Sequence, residues 1–140
     1  MNYTEKIKFS GSQPISFADS HLEDHLALVK VRAGACGFLT LVKAERENRR
    51  EVRIEIESNC ESVQDLGALL EQLGLLGMKD VISTNRDKNQ ILRKAIETLP
   101  HAACPVPVAI IKVSEVALGL NIPSPVTIEF ESESGGETIC

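Results

Sequence analysis

Apolar positions along this chain follow two rhythms, and the changes between them predict its elements. ALVKVRA and FLTLVKAE read as two strands joined through GACG, a glycine-bearing link suited to a hairpin. After NRR, a second turn, EVRIEIES alternates strictly: Val52, Ile54 and Ile56 fall on one face, Arg53, Glu55 and Glu57 on the other. One buried and one wet face is the habit of an antiparallel strand. The period lengthens at SNCESVQDLGALLEQLG, where Val63, Leu66, Leu70 and Leu73 form one helical stripe. Ser58 and Glu61 have the spacing of a capping box, and Gly74 suits the end of that helix. LLGMKDVISTN fits a short helix or a loop. RDKNQILRKAIETL is helical again, with Ile91, Leu92, Ala95, Ile96 and Leu99 inward and Pro100 beyond its end.

The last helix and strand are the most distinctive. Pro105 suits the first position of a helix, and Pro107 still lies in the turn whose N–H groups lack helical partners. From 106 to 118 the residues are apolar nearly all round, with Lys112, Ser114 and Glu115 as a narrow polar edge, which predicts a central, buried helix. VTIEFE then alternates as a final strand, with Val126, Ile128 and Phe130 inward and Thr127, Glu129 and Glu131 outward. The order ββ(β)-ααα-β predicts an α+β fold: an antiparallel sheet of about four strands with helices packed on one face. Residues 1–26 form an N-terminal extension, in which EKIKF suits a short strand and SFADSHLEDHL a turn or an irregular helical turn. Residues 27–131 form a single domain, and 132–140 a flexible tail.

Composition narrows the function classes. A chain of 140 residues can bury one core without staples, and with no Trp, one Tyr and four Phe that core is mostly aliphatic. A net charge of −5 and a scarcity of stacking aromatics argue against a nucleic-acid partner. No run approaches the roughly 20 apolar residues that span a membrane. MNYTEKIKFSGSQ lacks the apolar core of a secretory signal, so a cytoplasmic location is expected, with thiols held reduced.

The candidate chemistry is in the cysteines. Cys60 lies in the first turn of its helix and Cys104 at the start of another, where free N–H groups and a partial positive potential favour a thiolate. Cys36 sits on the glycine-bearing turn AGACGF. The strand after Cys36 runs away from that turn and the next runs back, so Cys60 returns to the same end of the sheet. Three thiolates at one locus suit zinc or an iron–sulfur cluster, with His101 of HAAC as a fourth ligand or a proton carrier beside Cys104. There is no compact Cys-x-x-Cys pair, so the fold itself must gather the ligands. Each cysteine also has an ordinary reading as a buried thiol. His21 and His25 read as solvated surface, Cys140 as an incidental thiol, and KAERENRREVR as the exposed end of a hairpin. AGACGF is no phosphate loop, since no Lys-Ser/Thr follows and it leads into a strand. No nucleophile elbow is present.

At AGACGF, SNC and HAACPVPVAIIKVSEVALGLNIP the chain resembles a small prokaryotic family of unknown function, associated with anaerobic archaea and bacteria. The resemblance covers about residues 27–131 and is most specific in HAACPVP and the EVALGL that follows. It implies that Cys36, Cys60 and Cys104, with His101 beside them, act as one unit. An anaerobic setting would favour an iron–sulfur cluster over zinc.

These readings converge on a small cytoplasmic domain that binds a metal or iron–sulfur cluster through three cysteines, in an accessory, carrier or electron-transfer role. One coordination position is left for His101, water, a substrate or a protein partner, so enzymatic activity stays open. Two alternatives stand beside it. One is a metal-free thiol enzyme or redox sensor centred on Cys104, and the other an interaction domain whose cysteines only pack. The apolar helix at 106–118 is covered within the chain or by a second subunit, and a homodimer is the favoured expectation.

Overall fold

A computed structural model describes residues 25–132 of the chain. The expected EKIKF strand, His21 and the tail with Cys140 lie outside the described residues. The fold is α+β. Strands β1 (Leu26–Arg32), β2 (Leu39–Arg46) and β3 (Glu51–Ser58) follow one another, then helix α1 (Glu61–Leu73), strand β4 (Leu76–Gly77) and helices α2 (Met78–Ile82), α3 (Gln90–Thr98) and α4 (Val106–Ala117). The strands form one antiparallel sheet in the order β1-β2-β3-β4.

The register shows why this sequence makes this sheet. Ala27 faces Ala44, Ala44 faces Ile54, Val42 faces Ile56 and Val52 faces Leu76, so the alternating apolar positions share one face. That face meets Val63, Leu66 and Leu70 of α1, Ile91 and Ala95 of α3, and Val106, Ala109, Ile110, Val113 and Ala117 of α4 in a single core. Fully burying a side chain such as Ile110 contributes about 1.5–3 kcal/mol. α1 lies close over β3: a Cβ on Gly67 would stand 3.1 Å from Cβ of Ile56, so glycine permits the approach. On the reverse face Leu39 and Leu41 are buried as well, so β2 is covered on both sides.

Four details depart from the expected pattern, each for a local reason. α1 is capped by Cys60 and not by Ser58, because Ser58 still pairs with Thr40 as the last residue of β3. Ser114 is buried, not part of a wet edge, and donates its hydroxyl to the carbonyl of Ile110 at 2.7 Å. α3 starts at Gln90, since Asn89 accepts the Leu92 N–H on its side-chain oxygen at 3.0 Å and caps it there. Ile96 is exposed, leaving Ile91 and Ala95 as the buried face of α3.

The fourth strand is also not the expected one. VTIEFE forms no strand among the described residues, and it is β4 that pairs beside β3. Two buried side chains hold that region, which the sequence left between helix and loop. Asp80 accepts the Gly77 N–H at 3.1 Å on one oxygen and the Gln90 N–H at 2.9 Å on the other. Asn89 donates to the Ser83 carbonyl at 2.9 Å. Together these tie β4, α2 and α3 into one corner.

Candidate functional site

The turn that carries Cys36 is closed by two backbone bonds, Ala33 N–H to the Phe38 carbonyl at 3.2 Å and Gly37 N–H to the Gly34 carbonyl at 2.9 Å. Gly34 and Gly37 both adopt positive φ, at 87° and 74°, which side chains with a Cβ rarely tolerate. The result is a tight tip that presents Cys36 to solvent, with Phe38 exposed beside it.

Cys60 is reached by the return strand. Asn59 donates its N–H to the Leu39 carbonyl at 3.3 Å, so the end of β3 is fastened to the start of β2, immediately after the Cys36 turn. Cys36 and Cys60 therefore stand at the same end of the sheet. The corner around Cys60 is firmly built: its N–H donates to the Ser58 hydroxyl at 3.1 Å, and that hydroxyl is 2.7 Å from the Thr40 hydroxyl. Gln64 donates its side-chain amide to the Ser58 carbonyl at 2.8 Å. Cys60 is the N-cap residue, its backbone extended and its side chain capping nothing, and it packs half-buried against the core. Thr40 and Ser58 are supporting residues that spacing alone did not reveal. Their signal is register, since two hydroxyls face each other across β2 and β3 only once the strands are paired.

Cys104 precedes the N-cap of α4, which is Pro105, and Pro107 lies inside the first turn. The thiol is half-buried against the core. The contact that joins Cys104 to His101 runs from backbone to backbone, the Cys104 N–H to the His101 carbonyl at 3.3 Å, and His101 is exposed. Among the described residues no group of three or more His, Cys, Asp or Glu side chains stands close enough to hold a metal ion. Cys36, Cys60, Cys104 and His101 thus do not converge in one coordination sphere in this structure. The three cysteines are free thiols.

The opposite end of the sheet differs in chemistry. The β2–β3 turn is shaped by Asn48, whose side chain accepts the Arg50 N–H and donates to the Glu51 carboxylate. His25, Arg46, Glu47, Asn48 and Arg49 line an open depression there. Arg53 donates to Glu47 at 2.9 Å, and this contact holds its guanidinium above the usual range. This end matches the solvated hairpin expected from KAERENRREVR. No helix among the described residues is long and apolar enough to cross a membrane.

No curated protein and no solved structure matches the chain. One family model does, over residues 27–130, a span that runs from β1 through the Cys36 turn, the Cys60 corner and the HAAC segment to the alternating residues after α4. The chain belongs to that family, a family of unknown function designated DUF6951.

Proposed function

We propose that this protein is a small thiol-presenting accessory domain that holds a metal or an iron–sulfur cluster at the Cys36 and Cys60 end of its sheet. The observation that supports this reading is the closure of Asn59 onto Leu39, which brings the exposed thiol of the hairpin tip and the N-cap thiol of α1 to one end on two unrelated elements. Two thiolates on a rigid sheet end suit a soft or borderline ion, zinc or iron, better than calcium or magnesium. The first turn of α1 adds N–H groups and positive potential on the Cys60 side. In this reading the remaining ligands come from Cys104 and His101 after a local shift of HAAC, or from a protein partner. Such a site serves carrier or electron-transfer chemistry, and an open position on the ion would serve Lewis-acid chemistry. The setting proposed is cytoplasmic. An anaerobic source, proposed from the resemblance, would favour the cluster.

The test is the metal and acid-labile sulfide content of protein purified without oxygen, with its absorption spectrum. Iron and sulfide that disappear in both Cys36→Ala and Cys60→Ala are the expected result, and zinc lost in the same two variants supports the same site with a different ion. Metal retained by both variants overturns the reading. Absence of metal, with Cys104 alkylating much faster than Cys36 and Cys60, replaces it with thiol chemistry centred on Cys104.

A further inference from the structure

The β2–β3 hairpin sorts its charges. On the reverse face Glu45 and Arg53 are register partners, Glu47 accepts from Arg53 at 2.9 Å, and Lys43 meets Glu55 at 2.9 Å. At the turn the Asn48 amide donates to Glu51 at 2.8 Å. The acids of the hairpin are thus engaged. Three of its cations are not: the guanidinium groups of Arg46, Arg49 and Arg50 form no ion pair among the described residues. In a chain of net charge −5, cations left over at one place make a local field opposite to that of the whole.

Arg46 is the most constrained of the three. Its register partner is Val52, a core residue, so Arg46 stands on the helix-covered side of β2. It is half-buried, and its N–H donates to the His25 carbonyl at 2.7 Å, which fixes the backbone that carries it. A partly desolvated guanidinium gains from a counter-charge more than one in open water does.

The shape beside it is concave. His25, Arg46, Glu47, Asn48 and Arg49 line a depression of about 510 Å³. Volumes of about 300–1,000 Å³ hold small ligands. Glu47 turns its carboxylate to Arg53, and the Asn48 side chain is taken by the Arg50 N–H and by Glu51. Arg46 and Arg49 therefore bring unmatched positive charge to the depression. Guanidinium forks match the oxygens of a phosphate and hold it bidentately, and a doubly charged phosphate suits two of them.

We propose that this depression binds the phosphate monoester group of a small molecule through Arg46 and Arg49. The site lies at the opposite end of the sheet from Cys36 and Cys60, and it does not depend on the thiol reading.

The test is a titration of the full chain with glycerol 3-phosphate, followed by amide chemical shifts, with chloride at matched ionic strength as the reference. The expected result is saturable shifts at residues 46–49 that chloride does not reproduce. Arg46→Gln raises the dissociation constant by about tenfold or more, and R46Q/R49Q removes saturation. Amide dispersion in the same spectra shows that both variants stay folded. Arg32→Gln, which removes an exposed cation at the Cys36 end, leaves binding unchanged. Phosphatidylcholine vesicles carrying phosphatidic acid separate the two sources of such a group. Binding to them in an Arg46-dependent manner places the ester on a lipid, and binding of glycerol 3-phosphate alone places it on a free molecule. Shifts that chloride reproduces overturn the proposal, as does binding undiminished in R46Q/R49Q. Equal weakening by Arg32→Gln overturns it too, since the chain would then respond only to overall charge. So does a hexaglutamate peptide that binds more tightly than the ester, which would make the end a protein-docking surface.

Discussion

β3 and the arm at residues 126–131 carry the same alternation, Val-x-Ile-x-Ile in one and Val-x-Ile-x-Phe in the other, and bury it to opposite extents. In β3, Val52 and Ile54 are 0% and 2% exposed, whereas Ile128 and Phe130 stand almost wholly in water. The difference lies in what the chain delivers beside each segment. β3 follows β2 through a short turn that Asn48 organises, so its partner arrives in register, and α1 folds back over the resulting face. The arm follows a helix and a proline-bearing linker, which supply neither partner nor cover. Alternation specifies a backbone form and two faces. Burial requires a neighbour.

The largest expected effect tests that contrast directly. Ile54→Ala should destabilise the fold by about 2–5 kcal/mol, the range for truncating a buried aliphatic side chain in a packed core. Ile128→Ala, measured by urea unfolding in solution dilute enough to keep chains apart, should stay within about 0.5 kcal/mol of the parent. Equal losses in the two variants would show that the arm is packed within its own chain, and the comparison would collapse.

A second variant probes the corner that holds β4 beside β3. Asp80 is buried and accepts two N–H groups, so Asp80→Ala leaves both Gly77 and Gln90 without their acceptor. The expected loss is about 2–4 kcal/mol, from two hydrogen bonds to a charged group and the buried donors left behind. Faster amide exchange should appear at Gly77 and Gln90 and leave the β1–β2 ladder unaffected. Uniform loss of protection across the sheet would show that β4 is integral to the sheet and not a local clasp.

The parts of the molecule that were legible in the sequence share a property: their structure is dictated locally. The β1–β2–β3 meander, the stripe of α1 and its end at Gly74 each follow from period or turn residues within a short window, whereas α4, expected to be buried nearly all round, buries one face and leaves Val108 exposed. The return of Cys60 to the Cys36 end was legible too, because antiparallel counting needs only strand lengths. What was not legible depends on distant partners. The two residues of β4 show no alternation, and Asp80 becomes a clasp only when α3 arrives against it. Ser114 sits on a polar edge by helical projection, yet its hydroxyl can be satisfied by the Ile110 carbonyl and so be buried. Convergence of Cys104 with the other thiols depends on how α4 crosses the sheet, and strand counting cannot supply that.

The smallest expected effect concerns charge and again sets β3 against the arm. Across β2 and β3, Lys43 and Glu55 are register partners, and their charged groups meet at 2.9 Å on the reverse face of the sheet. Neither is fully exposed, so the pair should exceed a typical surface contact only slightly. Glu55→Gln should cost about 0.5 kcal/mol at low salt and progressively less as salt is raised. Glu129 holds the matching polar position in the arm, and Glu129→Gln in the isolated chain should leave stability unchanged at any salt concentration. Unfolding midpoints compared at low and high salt read both differences. A salt-dependent loss in Glu129→Gln would show the arm already packed against a cation, whereas the Glu55 effect must be independent of concentration because Lys43 is already beside it.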